Sequence, residues 1–315
     1  MVSWEGVMPA TVKNHLVAAI GEFVGTFMFL FMPFCVVSVT GHRVQYALED
    51  GSPATGSDPS LLVYIALAFG VSLGVNVWIF YRVSGGMFNP AVTLALVLGT
   101  GMPIPRALIC VLAQILGSIA AAGVAEGLLP GKLSAQTTIG NGISNVEGMF
   151  LEMFLTAQLI ITIFMLAVEK TKATFLAPLG IGSALFLSHL VGIYYTGASL
   201  NPVRSFGPAV AAGHFNSDHW VYWIGPILGA LLASGFYRLL KFLQYEAANP
   251  DQDVDLSCSA REQSNRLACN AEQIEGREVP RSAWSRSKGS DVERGSIPPK
   301  SPQMPFVAVA TNSTE

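Results

Sequence analysis

The sequence predicts an all-α membrane protein: six transmembrane helices plus two re-entrant half-helices, arranged as an inverted repeat. Three observations predict this class. Hydrophobic residues make up 51% of the chain and charged residues only 12%, whereas soluble domains carry about 25% charge. Six long apolar runs stand out, at about 16–39, 61–80, 106–127, 148–168, 175–194 and 219–243. Each is near the ~20 residues needed to cross a bilayer. Finally, two short segments read almost alike: Ser84-Gly85-Gly86-Met87-Phe88-Asn89-Pro90-Ala91 and Thr196-Gly197-Ala198-Ser199-Leu200-Asn201-Pro202-Val203.

The elements follow in order. Residues 1–15 form a short N-terminal segment. The run 16–39 is too long for a signal-peptide core and lacks a clear cleavage site, so it reads as a retained helix. Val2 excludes myristoylation at a second-position Gly. Residues 40–60 are rich in Gly, Ser, Pro and Asp and read as an external loop before the second span. The first repeated motif then supplies a Gly-bearing turn, Asn89 as N-cap and Pro90 at the first helical position. Residues 89–99 make a helix of roughly 16 Å at ~1.5 Å per residue. That is about half of a ~30 Å hydrocarbon core. The second motif opens an equally short helix over 201–211. The start of a half-helix leaves orphan N–H groups that lipid cannot satisfy, so they must line a cavity. A transport path is implied.

The chain reads as a duplication, with repeats at about 16–127 and 148–243. Glu22-x-x-x-Thr26 in the first span matches Glu152-x-x-x-Thr156 in the fourth. Ala113-Gln-Ile-Leu-Gly117-Ser118 in the third matches Gly225-Pro-Ile-Leu-Gly229-Ala230 in the sixth. Three spans per copy is an odd number, so the copies insert with opposite topology and meet at the membrane midplane. The step from Glu22 to Asn89 exceeds that from Glu152 to Asn201, and the loop 40–60 accounts for the excess. The pairs Gly21/Gly25, Gly70/Gly74, Gly123/Gly127 and Gly225/Gly229 predict close helix contact.

Orientation follows from Lys and Arg in short loops. Lys13, Arg82, Arg106, Lys170, Lys172, Arg238 and Lys241 fall on one side, Arg43 and Lys132 on the other. Both termini are therefore expected in the cytoplasm. Residues 247–315 are dominated by charged and small polar residues, Pro and Gly, and read as a disordered cytoplasmic tail. Ser264 and Ser301 are chance-level phosphosite matches, and the sequon at Asn312 falls on the cytosolic side. A net charge of −3 implies no nucleic-acid partner. The four Cys lack paired spacing, so no disulfide framework, metal site or cofactor is expected. No nucleophile, base and oxyanion constellation is present, so an enzyme is not expected. A secondary transporter would need coupling-ion ligands at the midplane, and no spare acidic residue is found there.

Two Asn-Pro half-helix motifs, Glu-x-x-x-Thr in the first and fourth spans, and six spans in this order resemble the aquaporin (major intrinsic protein) family over about residues 15–243. The wording Ser-Gly-Gly-Met-Phe-Asn-Pro is reminiscent of fungal members. The resemblance implies the aquaporin fold, with half-helices meeting at mid-membrane, and homotetramers with one pore per protomer. It implies midplane pore motifs Asn89, Pro90, Ala91 and Asn201, Pro202, Val203. It also implies an outer constriction formed by Phe69, His189, Ala198 and Arg204. The constriction His and the residues Ser205 and Ala209 match water-selective members, as does Tyr222-Trp223. Glycerol channels tend to carry Gly, Asp and a basic residue at the first three of those places.

Two departures are visible. Val203 stands where the family has Ala, adding bulk where the motifs pack. Met87 stands where many members have His, so Glu152 must find other partners, with loop N–H groups as the candidates. Glu22 and Glu152 are expected to be buried carboxylates that anchor the loops and not a proton relay, since each belongs to a separate repeat. The function implied is a passive water channel that excludes ions and protons. The alternative is a channel that also or mainly conducts hydrogen peroxide or another small neutral solute such as glycerol. The expected location is the plasma membrane.

Overall fold

The structure, a computed structural model, describes residues 9–49, 59–140, 142–170 and 173–249, with backbone alone for 42–49. The tail beyond 249, Lys172 and the side chain of Arg43 lie outside the described residues, as do the expectations placed on them. Among the described residues there are eight α-helices: α1 (Ala10–Glu49), α2 (Pro59–Phe80), α3 (Pro90–Thr100), α4 (Ile104–Leu128), α5 (Asn145–Ile163), α6 (Ala177–Thr196), α7 (Pro202–Ala211) and α8 (Val221–Phe242). Six are long and apolar enough to cross a membrane, and α3 and α7 are the half-helices. Their outward faces carry Leu108, Leu112, Leu116, Phe154 and Leu187, all exposed. This is the surface of a protein whose solvent is hydrocarbon.

α1 differs from expectation at both ends. It starts at Ala10 and runs to Glu49, through the first part of the expected loop 40–60. The reason is local: Val44-Gln45-Tyr46-Ala47-Leu48-Glu49 contains good helix formers, and the Gly, Ser and Pro residues come only afterwards. Pro33 inside α1 cannot donate to the Phe29 carbonyl. The Ser72 hydroxyl of α2 donates to that carbonyl instead, at 2.8 Å. A broken helix bond thus becomes a bond between helices. The last turn of the fourth span is a π-turn, Phe164–Val168, closed by Glu169 N–H donating to the Phe164 carbonyl at 2.9 Å. Such turns often sit beside functional cavities.

The packing has the symmetry of the repeat. α1 pairs with α4 as α5 pairs with α8, α1 with α2 as α5 with α6, and α4 with α7 as α3 with α8. Glycine makes the closest approaches possible. A Cβ on Gly117 would stand 2.6 Å from the Phe23 carbonyl oxygen, and one on Gly229 2.5 Å from that of Met153. Both lie opposite the Glu-x-x-x-Thr stretch of the partner helix. α2 and α6, the pair that joins the repeats, cross at Gly70 and Gly182, where a Cβ on Gly182 would stand 2.6 Å from the Gly70 carbonyl oxygen. The pair Gly123/Gly127 does not fit the expectation. Added Cβ atoms there meet nothing within 4 Å, because this face of α4 looks outward from the protomer.

Candidate functional site

The two half-helices begin head to head. Asn89 is extended (φ −154°, ψ 120°) and Asn201 nearly identical (φ −152°, ψ 109°). Each caps its own helix: the Ala91 N–H donates to Asn89 Oδ1 at 2.9 Å, and the Val203 N–H to Asn201 Oδ1 at 3.1 Å. Pro90 and Pro202 have no N–H to orphan. Each Asn also reaches across the midplane. Asn89 Nδ2 donates to the Leu200 carbonyl and Asn201 Nδ2 to the Phe88 carbonyl, both at 2.8 Å. An amide NH2 has two donors, so one on each Asn stays available beside the cavity that both residues line.

The loops leading to these caps are strained. Phe88 (φ 50°), Leu200 (φ 53°) and Ala198 (φ 50°) are left-handed without being glycine, and all three are fully buried. Such conformations persist only when the surroundings over-determine them. Here the two carboxylates do so. Glu22 accepts from Ser84 Oγ (2.6 Å), the Met87 N–H (3.1 Å), the Phe88 N–H (2.8 Å) and Gln114 Nε2 (2.8 Å). Glu152 accepts from Thr196 Oγ1 (2.6 Å), the Ser199 N–H (2.9 Å) and the Leu200 N–H (2.7 Å). The partners of Glu152 all belong to its own repeat, so the place of Met87 is not needed to satisfy it. Met87 lines the cavity, and its sulfur accepts from Thr93 Oγ1 at 3.6 Å. Val203 is fully buried, and its carbonyl accepts from the Ser118 hydroxyl at 2.5 Å.

A narrow cavity of about 40 Å³ runs past these groups. It is lined at one end by Phe69, His189 and Arg204, at the middle by Asn89, Asn201 and Ser199, and at the other end by apolar residues with Tyr81. At the first end the rings of Phe69 and His189 stack with centroids 4.4 Å apart. The Arg204 guanidinium lies 4.9 Å from the Phe69 centroid and 5.8 Å from that of Phe34. Arg204 is buried, donating from Nη1 to the Ala135 carbonyl at 2.6 Å and from Nη2 to the Gly197 carbonyl at 3.5 Å. Its Nε has no partner among the described residues. His189 Nδ1 lies 3.0 Å from the Leu185 carbonyl, so in the neutral ring Nδ1 carries the hydrogen. Nε2, buried and unpartnered among the described residues, is then an acceptor. One wall therefore donates, one accepts and one is aromatic.

Ala198, expected as the fourth wall, is not among the residues lining this cavity, whereas Ser199 is. With its positive φ, Ala198 packs beside Gly192 instead. Pro90, Ala91, Pro202 and Val203 build the half-helix starts and are likewise not among that lining. Several contributors escaped sequence reasoning. The Ala135 and Gly197 carbonyls act through backbone, which leaves no side-chain signal. Gln114, a lone amide in an apolar span, could have been suspected. It also donates to Thr93 Oγ1 at 2.9 Å, tying α3 to α4. A hydroxyl chain runs from Thr137 to Ser205 (2.7 Å), to Ser199 (2.7 Å), to the Asn201 carbonyl (2.8 Å). At the far end Lys170 Nζ donates to the Tyr81 hydroxyl (2.7 Å), which itself donates to the Ala167 carbonyl (2.7 Å). Among the described residues there is no cluster of metal-ligating side chains.

Comparison with known proteins agrees with this fold. The family model described as Major intrinsic protein matches residues 10–237. The chain is similar to Aquaporin-5 of Botryotinia fuckeliana (strain B05.10), 55% identical over 252 residues, covering 80% of this chain and 47% of that protein. It is similar to Aquaporin-7 of the same organism, 48% identical over 278 residues, covering 87% and 61%. Aquaporin-1 of Gibberella zeae is 52% identical over 247 residues, covering 77% and 75%. The chain thus spans only about half the length of the first relative and 61% of the second. Among solved structures, the X-ray structure of the aquaglyceroporin from Plasmodium falciparum superposes with a TM-score of 0.59 at 20% identity, covering 71% of this chain and 95% of that one. This last likeness speaks for the fold alone. Six apolar spans, paired half-helices and a matching family model over most of the chain make it an integral multi-pass membrane protein that belongs to the major intrinsic protein family of channels.

Proposed function

We propose that the chain is a passive water channel whose selectivity lies at Phe69, His189 and Arg204. The observation that carries this reading is their mutual contact around one narrow cavity, with stacked rings 4.4 Å apart and the guanidinium 4.9 Å from Phe69. So narrow a passage favours water over a three-carbon polyol. The Nε2 acceptor of His189 and the free donors of Arg204 can replace the hydrogen bonds that water gives up. Ions and protons meet the fixed charge of Arg204 and the positive ends of α3 and α7, about half a charge each. Aquaporins are a standard instance of exclusion by such half-helix dipoles and an Arg.

The same reading places both termini in the cytoplasm, the filter on the outer side, the protein in the plasma membrane, and four copies in a homotetramer surrounded by lipid. Stopped-flow light scattering on proteoliposomes tests it, with water, glycerol and peroxide compared on one preparation. A strong rise in water permeability with little glycerol flux is expected. Glycerol flux comparable to that of a known glycerol channel overturns it.

A further inference from the structure

Arg204 is held in the filter partly by a carbonyl that belongs to neither half-helix. Ala135 lies in the segment between α4 and α5, residues 129–144, whose described residues form no helix. A segment of that kind has few constraints of its own, so something must hold its carbonyl 2.6 Å from Arg204 Nη1. The neighbouring residues show what does. Asp218, in the turn before α8, accepts on a single oxygen, Oδ2, both the Thr138 hydroxyl (3.0 Å) and the Ile139 N–H (2.5 Å). Asp218 is only 6% exposed. The other ties between this segment and that turn are longer: Gln136 Nε2 to the His214 carbonyl and Asn216 Nδ2 to the Thr137 carbonyl, each 3.3 Å. The segment is also tied by the Thr137 hydroxyl to Ser205 (2.7 Å) and by the Gly140 N–H to the Tyr195 carbonyl (3.0 Å), but Asp218 is the carboxylate among these ties and takes two charge-assisted bonds.

We propose that Asp218 is a positioning residue for the filter: by clamping Thr138 and Ile139 it keeps the Ala135 carbonyl on Arg204 and so sets the width of the constriction. This inference rests on the filter assignment given above. Without the clamp, the segment retreats, Arg204 loses its shortest hydrogen bond and the guanidinium gains freedom to swing from the Phe69 face. A looser filter admits larger solutes. Asn at 218 keeps an oxygen in place for both donors, whereas Ala does not.

The test compares wild type, Asp218→Ala, Asp218→Asn and Thr138→Val in proteoliposomes, with water and glycerol permeability measured per inserted channel. Asp218→Ala is expected to lower the water-to-glycerol ratio about threefold to tenfold, the effect on a barrier of losing one or two buried hydrogen bonds. Asp218→Asn should keep the wild-type ratio, and Thr138→Val should lower it less than Asp218→Ala does. In an Arg204→Val background, Asp218→Ala should change the ratio no further, because the residue acts through Arg204. A purely structural role lowers both fluxes together at constant ratio, and that result overturns the inference. So does an equal effect of Asp218→Ala with and without Arg204. If Asp218→Ala fails to insert, Thr138→Val decides by the same criterion. A wild type that passes glycerol as fast as water overturns the water-channel reading, while the Arg204-dependent change in ratio still decides this one.

Discussion

The two half-helices share one backbone and differ in what surrounds it. Around α3, Glu22 takes bonds from two side chains and two N–H groups, one of the side chains being Gln114 of α4. Around α7, Glu152 takes one hydroxyl and two N–H groups, all from the end of α6 and the loop that follows it. The repeat counterpart of Gln114 is Pro226, which has nothing to donate. The α7 loop compensates sideways, through the Thr137–Ser205–Ser199 hydroxyl chain. Three residues after each Asn the side chains differ in kind: Val92 on α3, Arg204 on α7. An inverted repeat can thus duplicate a scaffold and leave only one copy with a buried guanidinium, the group that the proposed function assigns to the filter. The apolar half needs rigidity alone, while the polar half needs rigidity and a set of carbonyls aimed at a guanidinium.

The largest expected effect comes from cutting one anchor. Glu152→Ala leaves the buried Ser199 and Leu200 N–H groups without their acceptor, at about 1–3 kcal/mol each. Thermal stability should fall, and the surviving channels should lose both water flux and solute selectivity, because the loop that Glu152 holds leads directly into α7, which carries Arg204. Glu22→Ala should also destabilise but leave the water-to-glycerol ratio near wild type. Equal loss of selectivity in both variants would erase the contrast between the halves.

Arg204→Val gives α7 the residue found at the matching place on α3. Proton flux, read with a trapped pH dye, should rise about tenfold or more as the buried charge is lost, while water flux changes far less. A smaller step is the pair Phe69→Ala and His189→Gly, which removes width control and keeps the charge. Glycerol flux should rise by about tenfold with proton exclusion retained, since Arg204 and both helix N-termini remain. A double variant that keeps water flux but gains no glycerol flux would show that these two residues do not line the constriction.

The smallest effect concerns pH at the turn before α8. His219 Nε2 accepts from Trp223 Nε1 at 3.2 Å, which requires that nitrogen unprotonated. Burial holds the His219 pKa below the ordinary 6.5, with Asp218 opposing. The unfolded chain therefore takes up this proton first. The contribution of His219 to stability is therefore present well above pH 6.5 and declines as pH falls below it. Melting curves in detergent from about pH 7.5 down to about pH 5 should show this decline in wild type and a shallower one in His219→Gln. Equal slopes would exclude His219 as the titrating group.

Composition, span length and the doubled Asn-Pro motif determined the class of this protein without any structure. Hydrocarbon tolerates no unpaired backbone, so a short capped helix between apolar spans has few possible settings. The same constraint made Asn89, Asn201, Glu22 and Glu152 legible as the skeleton of the path, because each is a polar residue that hydrocarbon would reject without partners. Arg204 and His189 stand out as candidates for that reason together with the family likeness, and the structure brings them, with Phe69, to one cavity. Three-dimensional packing alone decided the rest. It packed Ala198 against Gly192 and put Ser199 in the cavity lining, since the direction of a loop residue depends on φ values that a sequence does not display. It turned Gly123 and Gly127 outward, since helix spacing shows that residues share a face but not what that face meets. It recruited the Ala135 and Gly197 carbonyls, which every residue possesses and no side chain advertises. And it brought Asp218 to Thr138 across 80 residues of chain, a contact created by the return of α8 to the mouth of the same bundle.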